Sequence, residues 1–220
     1  MQTVTWIPGD GIGPEVTRAA RDIVLASGAA VQFEEVAAGM REGERSGTPL
    51  PAAVFESIAR NKVVLKGPTQ TPFGGDYRVR IERKNDKGVI EKRTHPSVAI
   101  ALRKELGLYV NVRPVRNYPS VQSRYDNVDI VIFRENSEDL YTGMERMIDE
   151  GTAEAIKIIS FRATERVSKF ALDYLRQMAF AGSQMVLVNS LLRPLTAHSV
   201  EQRLPCIYVK ARMISSIAIS

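Results

Sequence analysis

Along the first third of the chain, the pattern of hydrophobic and polar positions switches between strand and helix periods. β-branched and aromatic residues fill positions 3–7 and predict a strand, and the glycine-rich positions 8–15 predict a turn into a helix. Apolar residues at helical spacing extend that helix towards Gly28, a typical C-cap, and positions 31–36 alternate as a second strand. The same criteria predict a further helix and a further strand at 51–60 and 62–66. This alternation predicts an α/β sheet with parallel pairing.

The middle of the chain is more polar. Positions 73–93 contain glycine and many charges, which predicts a long loop or an exposed hairpin, and such a loop in a compact domain is usually functional. A helix is predicted at 97–106. A strand follows at 108–112, ended by Pro114, and an apolar run at 128–133 predicts a buried strand.

The last third contains the clearest amphipathic segment. From Gly151 the alternation predicts an exposed strand or arm, and 163–178 predicts a helix. The apolar stripe of that helix consists of Val167, Phe170, Ala171 and Tyr174. A final strand is predicted at 185–188.

Composition and charge narrow the class of protein. Thirty Lys and Arg against 25 Asp and Glu give a net charge of +5, which suits either a mildly basic soluble protein or one with an anionic ligand. The densest basic stretch, 78–93, also contains acidic residues, so a nucleic-acid surface is not indicated. No apolar run is long enough to cross a bilayer. The single cysteine, Cys206, suits a reducing compartment, and we expect a cytoplasmic location.

The first glycine turn has two interpretations. Gly9, Gly11 and Gly13 follow a strand, as in a dinucleotide-binding fingerprint, but the spacing lacks the third glycine of G-x-G-x-x-G. Pro14 stands where the helix opens. A tight turn into a helix and a phosphate-binding turn therefore both remain open.

Longer strings of sequence carry a family resemblance. The segment 7–16 (IPGDGIGPEV) resembles the N-terminal signature of the isocitrate/isopropylmalate dehydrogenase family, the decarboxylating β-hydroxyacid dehydrogenases. Further strings resemble that family's motifs in the same order: Lys66-Gly67-Pro68, Thr71-Pro72, His95-Pro96-Ser97, Leu102-Arg103-Lys104, Asn111-Val112-Arg113-Pro114 and the run 134–143 (RENSEDLYTG). Together the strings span residues 3–188, and within the family they lean towards NAD-dependent isocitrate dehydrogenases.

The resemblance implies a fold and an activity. The fold would be the α/β sheet-and-helix fold of that family, which is not a Rossmann fold. Residues 1–95 would belong to a large cofactor-side domain, 96–190 to a small substrate and dimerisation domain with an arm, and 191–220 to a tail without resemblance. The activity would be the oxidative decarboxylation of isocitrate to 2-oxoglutarate with NAD and Mg²⁺ or Mn²⁺. The expected assembly is a homodimer, or a hetero-oligomer with a complete paralogue.

The resemblance also assigns roles to particular residues. Three arginines and a serine would bind the carboxylates of a tricarboxylate substrate, because planar guanidinium groups grip carboxylates bidentately. These four residues are Ser97, Arg103, Arg113 and Arg134. Tyr141 would act as general acid, and the loop residues Lys66, Thr69 and Thr71 would contact the nicotinamide cofactor. Ser97 also suits a helix N-cap, and both roles are compatible.

The sequence departs from the family pattern at several positions. Ala99 stands where the family usually has asparagine, and Gln70 replaces a common threonine. After the last predicted strand, Asn189 is followed by Ser190, where the family has the lysine that deprotonates the substrate hydroxyl. The family's metal-binding aspartates have no match, so no metal ligand is assigned.

Three alternatives follow from these departures. The chain could be an incomplete and impaired enzyme, whether by truncation, frameshift or a divergent end. It could be a non-catalytic regulatory subunit, or a homologue acting on homoisocitrate or isopropylmalate.

Overall fold

The fold is described from a computed structural model. The structure describes residues 1–72, 77–84, 88–139, 142–177 and 184–188, with the backbone alone at 83–84 and 184–188. These residues belong to two compact units, Met1–Leu102 and Arg103–Ser220. The expected division at residues 95–96, between part of a large cofactor-side domain and a small domain, stays a prediction.

The first unit contains a parallel three-stranded sheet in the order β2-β1-β3. β1 is the central strand, and its residues from Val4 to Ile7 are all buried, as expected for a strand covered on both faces. The strands are β1 (Gln2–Ile7), β2 (Val31–Glu35) and β3 (Val64–Lys66). This parallel pairing confirms the α/β prediction for the first unit.

Two of the helices in this unit match the sequence pattern. α1 (Gly13–Ala26) begins with proline in its first turn, and Gly28 follows it in the left-handed conformation at φ 76°. α3 (Ala52–Asn61) connects to β1 through a buried polar contact, in which Asn61 Nδ2 donates to Thr5 Oγ1 at 2.9 Å. Both predicted helices are confirmed to within one or two residues.

A third helix, α2 (Met40–Ser46), was not predicted. Its sequence, MREGERS, is almost entirely polar and has a glycine in its centre, so it shows no apolar stripe. Its stability comes from tertiary contacts instead. Glu42 is buried, and Arg45 donates to it from Nε and Nη2 at 2.9 and 2.8 Å.

The polar middle of the chain forms a hairpin. β4 (Val79–Lys84) pairs antiparallel with β5 (Ile90–His95), which confirms the hairpin interpretation over the open loop. α4 (Val98–Glu105) follows it.

The second unit contains a mixed sheet in the order β10-β7-β6. β10 (Gln184–Val188) runs parallel to β7 (Asp129–Glu135), whereas β6 (Val110–Arg116) runs antiparallel to β7. The prediction that Pro114 ends β6 was wrong, since Pro114 pairs with Val131 inside the ladder. Proline is tolerated there because β6 is an outer strand of the described sheet, where a missing N–H leaves no ladder partner unsatisfied.

α5 (Phe161–Gln177) covers one face of this sheet. Val167 and Ala171 are buried against Val131 and Phe133, and the two aromatic residues of the predicted stripe pack on the same cluster. The stripe Val167, Phe170, Ala171 and Tyr174 is thereby confirmed as the core-facing side of the helix.

The segment after Gly143 forms a short antiparallel hairpin, β8 (Glu145–Met147) with β9 (Ala153–Ala155). Both strands are largely exposed, so the predicted exposed strand is confirmed. Within the part of the chain that is described, no helix is long and apolar enough to cross a membrane.

Candidate functional site

The turn after β1 and the loop after β3 lie in direct contact. The two strands are parallel, so their carboxyl ends meet at one edge of the sheet, where open α/β sheets bind ligands. The backbone N–H of Asp10 donates to Pro68 O, and that of Gly67 donates to Ile7 O, both at 2.8 Å. A Cβ added to Gly9 would stand 2.0 Å from Pro68 O. The close approach of these two segments therefore requires glycine.

This packing bears on the two interpretations of the glycine turn. A Cβ on Gly13 would meet Pro8 O at 2.3 Å, and one on Gly67 would meet the same oxygen at 2.0 Å. The space beside these glycines is thus filled by the protein's own backbone. The tight packing of the turn therefore accounts for glycine at these positions, and no bound phosphate is needed to explain them.

The side chain of Asp10 holds three segments together. It is 2% exposed, and its carboxylate accepts hydrogen bonds from the backbone N–H groups of Met40, Arg41 and Gln70 at 2.9, 3.2 and 2.9 Å. Sequence reasoning gave this residue no role. The available signal was an acidic residue within a glycine turn, a position from which a carboxylate commonly accepts backbone hydrogen bonds.

The predicted cofactor residues lie on the loop that Asp10 contacts. Lys66 ends β3, and its Nζ donates to Gly67 O at 2.9 Å and to Thr69 Oγ1 at 3.3 Å. Lys66 and Thr69 are half-buried, and Thr71 is exposed two residues further on. The structure therefore brings Lys66 and Thr69 together at the carboxyl edge of the sheet, with Thr71 on the same loop.

The hydroxyl of Tyr77, a residue to which the sequence analysis gave no role, is a buried polar group. It has no hydrogen-bond partner among the described residues. Burial raises the pKa of Tyr77, and the neighbouring Asp10 carboxylate raises the pKa further, because both disfavour a phenolate.

Ser97 is the N-cap of α4. Its Oγ accepts a hydrogen bond from the backbone N–H of Ile100 at 3.2 Å, which is the usual N-cap geometry. The hydroxyl keeps its own proton for donation to an acceptor. Capping therefore does not exclude the predicted contact with a substrate carboxylate.

In the second unit, two of the predicted arginines lie on one face of the sheet. Arg134 on β7 stands opposite Asn111 on β6, and Arg113 is two residues further along β6, so all three share a face. The other face holds the pair Val112 and Phe133, which packs towards α5. Diagonal neighbours of this kind have Cα atoms roughly 7–8 Å apart. Two guanidinium groups can thus reach a single ligand.

The local contacts on this face are polar. Arg113 is exposed, and its Nε donates to Asn111 Oδ1 at 3.3 Å. Arg134 is half-buried. Arg103 lies on a different element, in the last turn of α4, so its approach to the other arginines stays a prediction.

The residues that follow Arg134 are fixed by Glu135. This buried carboxylate accepts hydrogen bonds from the backbone N–H groups of Ser137 and Glu138, both at 2.9 Å. Arg166 from α5 approaches the same carboxylate at 3.8 Å and stacks over the Tyr109 ring at 4.1 Å. The end of β7 is therefore held by contacts to Glu135 from the following turn and from α5. The motif in the sequence did not indicate this role for Glu135.

Several predicted features lie outside the described residues. These are Tyr141, Asn189, Ser190 and the tail 191–220, and their predictions are neither supported nor contradicted. In the described ranges, no group of three His, Cys, Asp or Glu side chains is placed to hold a metal ion. That part of the chain therefore does not by itself fit a divalent cation.

Comparison with known proteins identifies the family. The model of the isocitrate/isopropylmalate dehydrogenase family matches residues 3–190, so the chain belongs to that family. The family resemblance seen in the sequence motifs is confirmed. Its members include proteins named as dehydrogenases, which are oxidoreductases, and the family catalyses oxidative decarboxylation of β-hydroxyacids.

Individual relatives agree with this assignment. The chain is 39% identical over 172 residues to the mitochondrial NAD isocitrate dehydrogenase catalytic subunit 5 of Arabidopsis thaliana, a match covering 78% of this chain and 41% of that protein. It is also 39% identical over 170 residues to the chloroplastic 3-isopropylmalate dehydrogenase of Solanum tuberosum, covering 77% and 43%. The crystal structure of isocitrate dehydrogenase from Methylococcus capsulatus matches with a TM-score of 0.67 and 38% identity, covering 81% of this chain and 49% of that one. The chain thus spans less than half the length of these relatives.

Proposed function

We propose that this chain supplies the substrate-binding arginines and the cofactor-side loop of an NAD-dependent dehydrogenase that oxidatively decarboxylates isocitrate. The observation that carries the proposal is the placement of Arg113 and Arg134 on one face of the β6–β7 pair. A small polyanionic acid is the ligand class that such a face recognises, because guanidinium forks match carboxylate geometry.

The energy available from this face is sufficient for a small ligand. A hydrogen bond to a charged group contributes about 1.5–3 kcal/mol, so two arginine–carboxylate contacts amount to roughly 3–6 kcal/mol. That is about a hundred-fold or more in affinity, since each 1.4 kcal/mol is tenfold. Arg103 and Ser97 would add the remaining carboxylate contacts.

On the cofactor side, Lys66, Thr69 and Thr71 would hold the nicotinamide end of NAD. Their support is the position of their loop at the carboxyl edge of a parallel sheet and the polar groups that it presents. The bound cofactor would accept the hydride, and Tyr141 would donate a proton. A metal-binding segment and the base that removes the hydroxyl proton would come from outside the described residues.

The proposed partner is a second copy of this chain or a complete paralogue. The β8–β9 hairpin supports a protein partner, because Met144, Met147 and Ile148 are 50%, 65% and 61% exposed. Apolar side chains exposed together on a short hairpin are typical of an interaction surface.

The proposal is tested by calorimetric titration of the chain with isocitrate at fixed ionic strength. We expect Arg113→Ala and Arg134→Ala each to weaken binding by at least tenfold. Arg116→Ala is the matched control, because Arg116 lies on the opposite face of the same strand and already pairs with Asp129 at 3.0 Å. Isocitrate binding by Arg113→Ala at wild-type strength would overturn the proposal. Titration with 3-isopropylmalate distinguishes the alternative substrate.

A second candidate function is that of a non-catalytic subunit. It is favoured by Ser190, which stands where the resemblance implies the lysine that deprotonates the substrate hydroxyl, and by Ala99, which stands where it implies an asparagine that contacts substrate and nicotinamide. Under this alternative the chain would co-purify with a complete paralogue when the two are co-expressed. NADH formation by the chain alone, with isocitrate and Mg²⁺ or Mn²⁺, at the rate of a complete family member would exclude it.

A further inference from the structure

A buried carboxylate lies where the turn after β1, the start of α2 and the loop after β3 meet. The three backbone N–H groups that donate to Asp10 come from segments that are 30 and 60 residues away in the chain. The backbone N–H of Asp10 itself donates to Pro68 O at 2.8 Å. Asp10 therefore contacts the loop after β3 through both its side chain and its backbone.

The carboxylate leaves no room for a side chain at position 39. Gly39 has φ 123°, and a Cβ added to it would stand 2.3 Å from Asp10 Oδ2 and 2.7 Å from Oδ1. A residue with a side chain at position 39 would displace the carboxylate. The two positions thus depend on each other.

We propose that Asp10 is a positioning residue for cofactor binding, whose carboxylate fixes the loop carrying Lys66 and Thr69 in the geometry that a nicotinamide cofactor requires. This inference rests on the proposed function. Asp10 does not touch the cofactor in the proposal, and acts only through the loop. The same carboxylate also accepts from Met40 and Arg41 at the start of α2, so the loop is held against a carboxylate that is itself fixed.

The chemistry of the contact requires a carboxylate in particular. Two acceptor oxygens face three N–H donors, and an ionised carboxylate offers only acceptors. In Asp10→Asn, an amide of nearly the same shape would turn one N–H₂ donor towards these donors. The substitution therefore removes hydrogen bonds while leaving the volume of the side chain unchanged.

The test measures backbone hydrogen exchange by mass spectrometry together with NADH affinity, on the full 220-residue chain. In Asp10→Asn we expect exchange to rise at least tenfold in segments 39–41 and 67–70, while β1 and β2 exchange as in the wild type. NADH affinity should fall at least tenfold. Asp22→Asn, the same change at an exposed position of α1, should alter neither measurement.

The outcomes separate the possible roles of Asp10. A uniform rise in exchange across the first unit would show a merely structural role and overturn the proposal. Unchanged exchange at 67–70, or a local rise with NADH affinity intact, would also overturn it. If the wild type itself does not bind NADH, the proposed function fails, and the exchange data alone then decide whether Asp10 fixes the loop.

A second variant covers the case in which Asp10→Asn does not fold. Gln70→Pro removes the backbone N–H that donates to Asp10 and leaves the carboxylate and its contacts to α2 in place. Gln70→Ala keeps that N–H and controls for the loss of the glutamine side chain. In the proline variant we expect faster exchange at 67–70 and the same loss of NADH affinity. Wild-type NADH affinity in the proline variant would count against the proposal.

Discussion

The contact between the glycine turn and the loop after β3 predicts a large effect of a single methyl group. In Gly67→Ala, the added Cβ would lie 2.0 Å from Pro8 O and 2.9 Å from Thr17 Cγ2. Atoms in ordinary contact stand about 3.5 Å apart, so the two backbones would have to separate by more than about 1 Å. Such a shift would break the hydrogen bond from Gly67 N–H to Ile7 O.

The expected magnitude follows from these two costs. Overpacking costs about 1–3 kcal/mol, and a lost backbone hydrogen bond about 0.5–1.5 kcal/mol. We therefore expect Gly67→Ala to lower the free energy of unfolding of the first unit by about 1.5–4.5 kcal/mol.

The same substitution at Gly43 is a matched control with the opposite sign. Gly43 lies in the middle of α2, and an added Cβ would make an ordinary contact with Pro49 Cβ at 3.4 Å. Alanine is favoured over glycine in a helix, so Gly43→Ala should raise stability by about 0.5–1 kcal/mol.

The assay is urea unfolding followed by the fluorescence of Trp6. Trp6 is the chain's one tryptophan, lies in β1 and is 5% exposed, so its signal reports the first unit. With a urea slope of about 2 kcal/mol per M, the midpoint of Gly67→Ala should fall by about 0.8–2.2 M. A midpoint within about 0.25 M of the wild type would refute the tight contact between the two segments.

Two further predictions concern the core and the response to acid. Phe133→Ala should destabilise the second unit by about 3–5 kcal/mol, seen as faster hydrogen exchange in α5, because Phe133 is fully buried. Val115→Ala, at an exposed site of the same sheet, should change stability by less than about 0.5 kcal/mol, and equal effects at both sites would contradict the described core. Hydrogen bonding by Arg45 lowers the pKa of Glu42 below its ordinary 4.5, so this carboxylate stabilises the fold above pH 4.5 and loses that effect as pH falls through the lowered pKa. Glu42→Gln should therefore be less stable than the wild type at pH 7, with a gap in urea midpoint that closes below pH 4.5, and a gap independent of pH would contradict this assignment.

The periodic elements of the fold were predictable from sequence, whereas those made by tertiary contacts were not. α5 was predicted because its apolar stripe repeats at helical spacing and faces one core. α2 was missed because its polar sequence is held by the backbone contacts of Asp10 and by the buried Glu42. β6 was cut short at Pro114, since a sequence does not show whether a strand lies at the edge of its sheet.

The candidate site shows the same division. The resemblance identified Arg113 and Arg134, but only the register of β6 against β7 places them on one face. The number of residues between Arg113 and Arg134 does not show whether their side chains share a face of the sheet. The role of Asp10 was likewise hidden, because its three partners are backbone N–H groups that exist at almost every position of any sequence.

The two halves of the proposed chemistry reside in different compact units, which makes them separable by experiment. The cofactor-side loop and Asp10 belong to Met1–Leu102, and the Arg113–Arg134 face belongs to Arg103–Ser220. Substitutions at residues that share no partner have nearly additive effects. Loss of NADH affinity in Asp10→Asn should therefore leave isocitrate affinity close to that of the wild type, and Arg113→Ala should leave NADH affinity intact. The factor by which bound NADH changes the affinity for isocitrate would then give the coupling free energy between the two units.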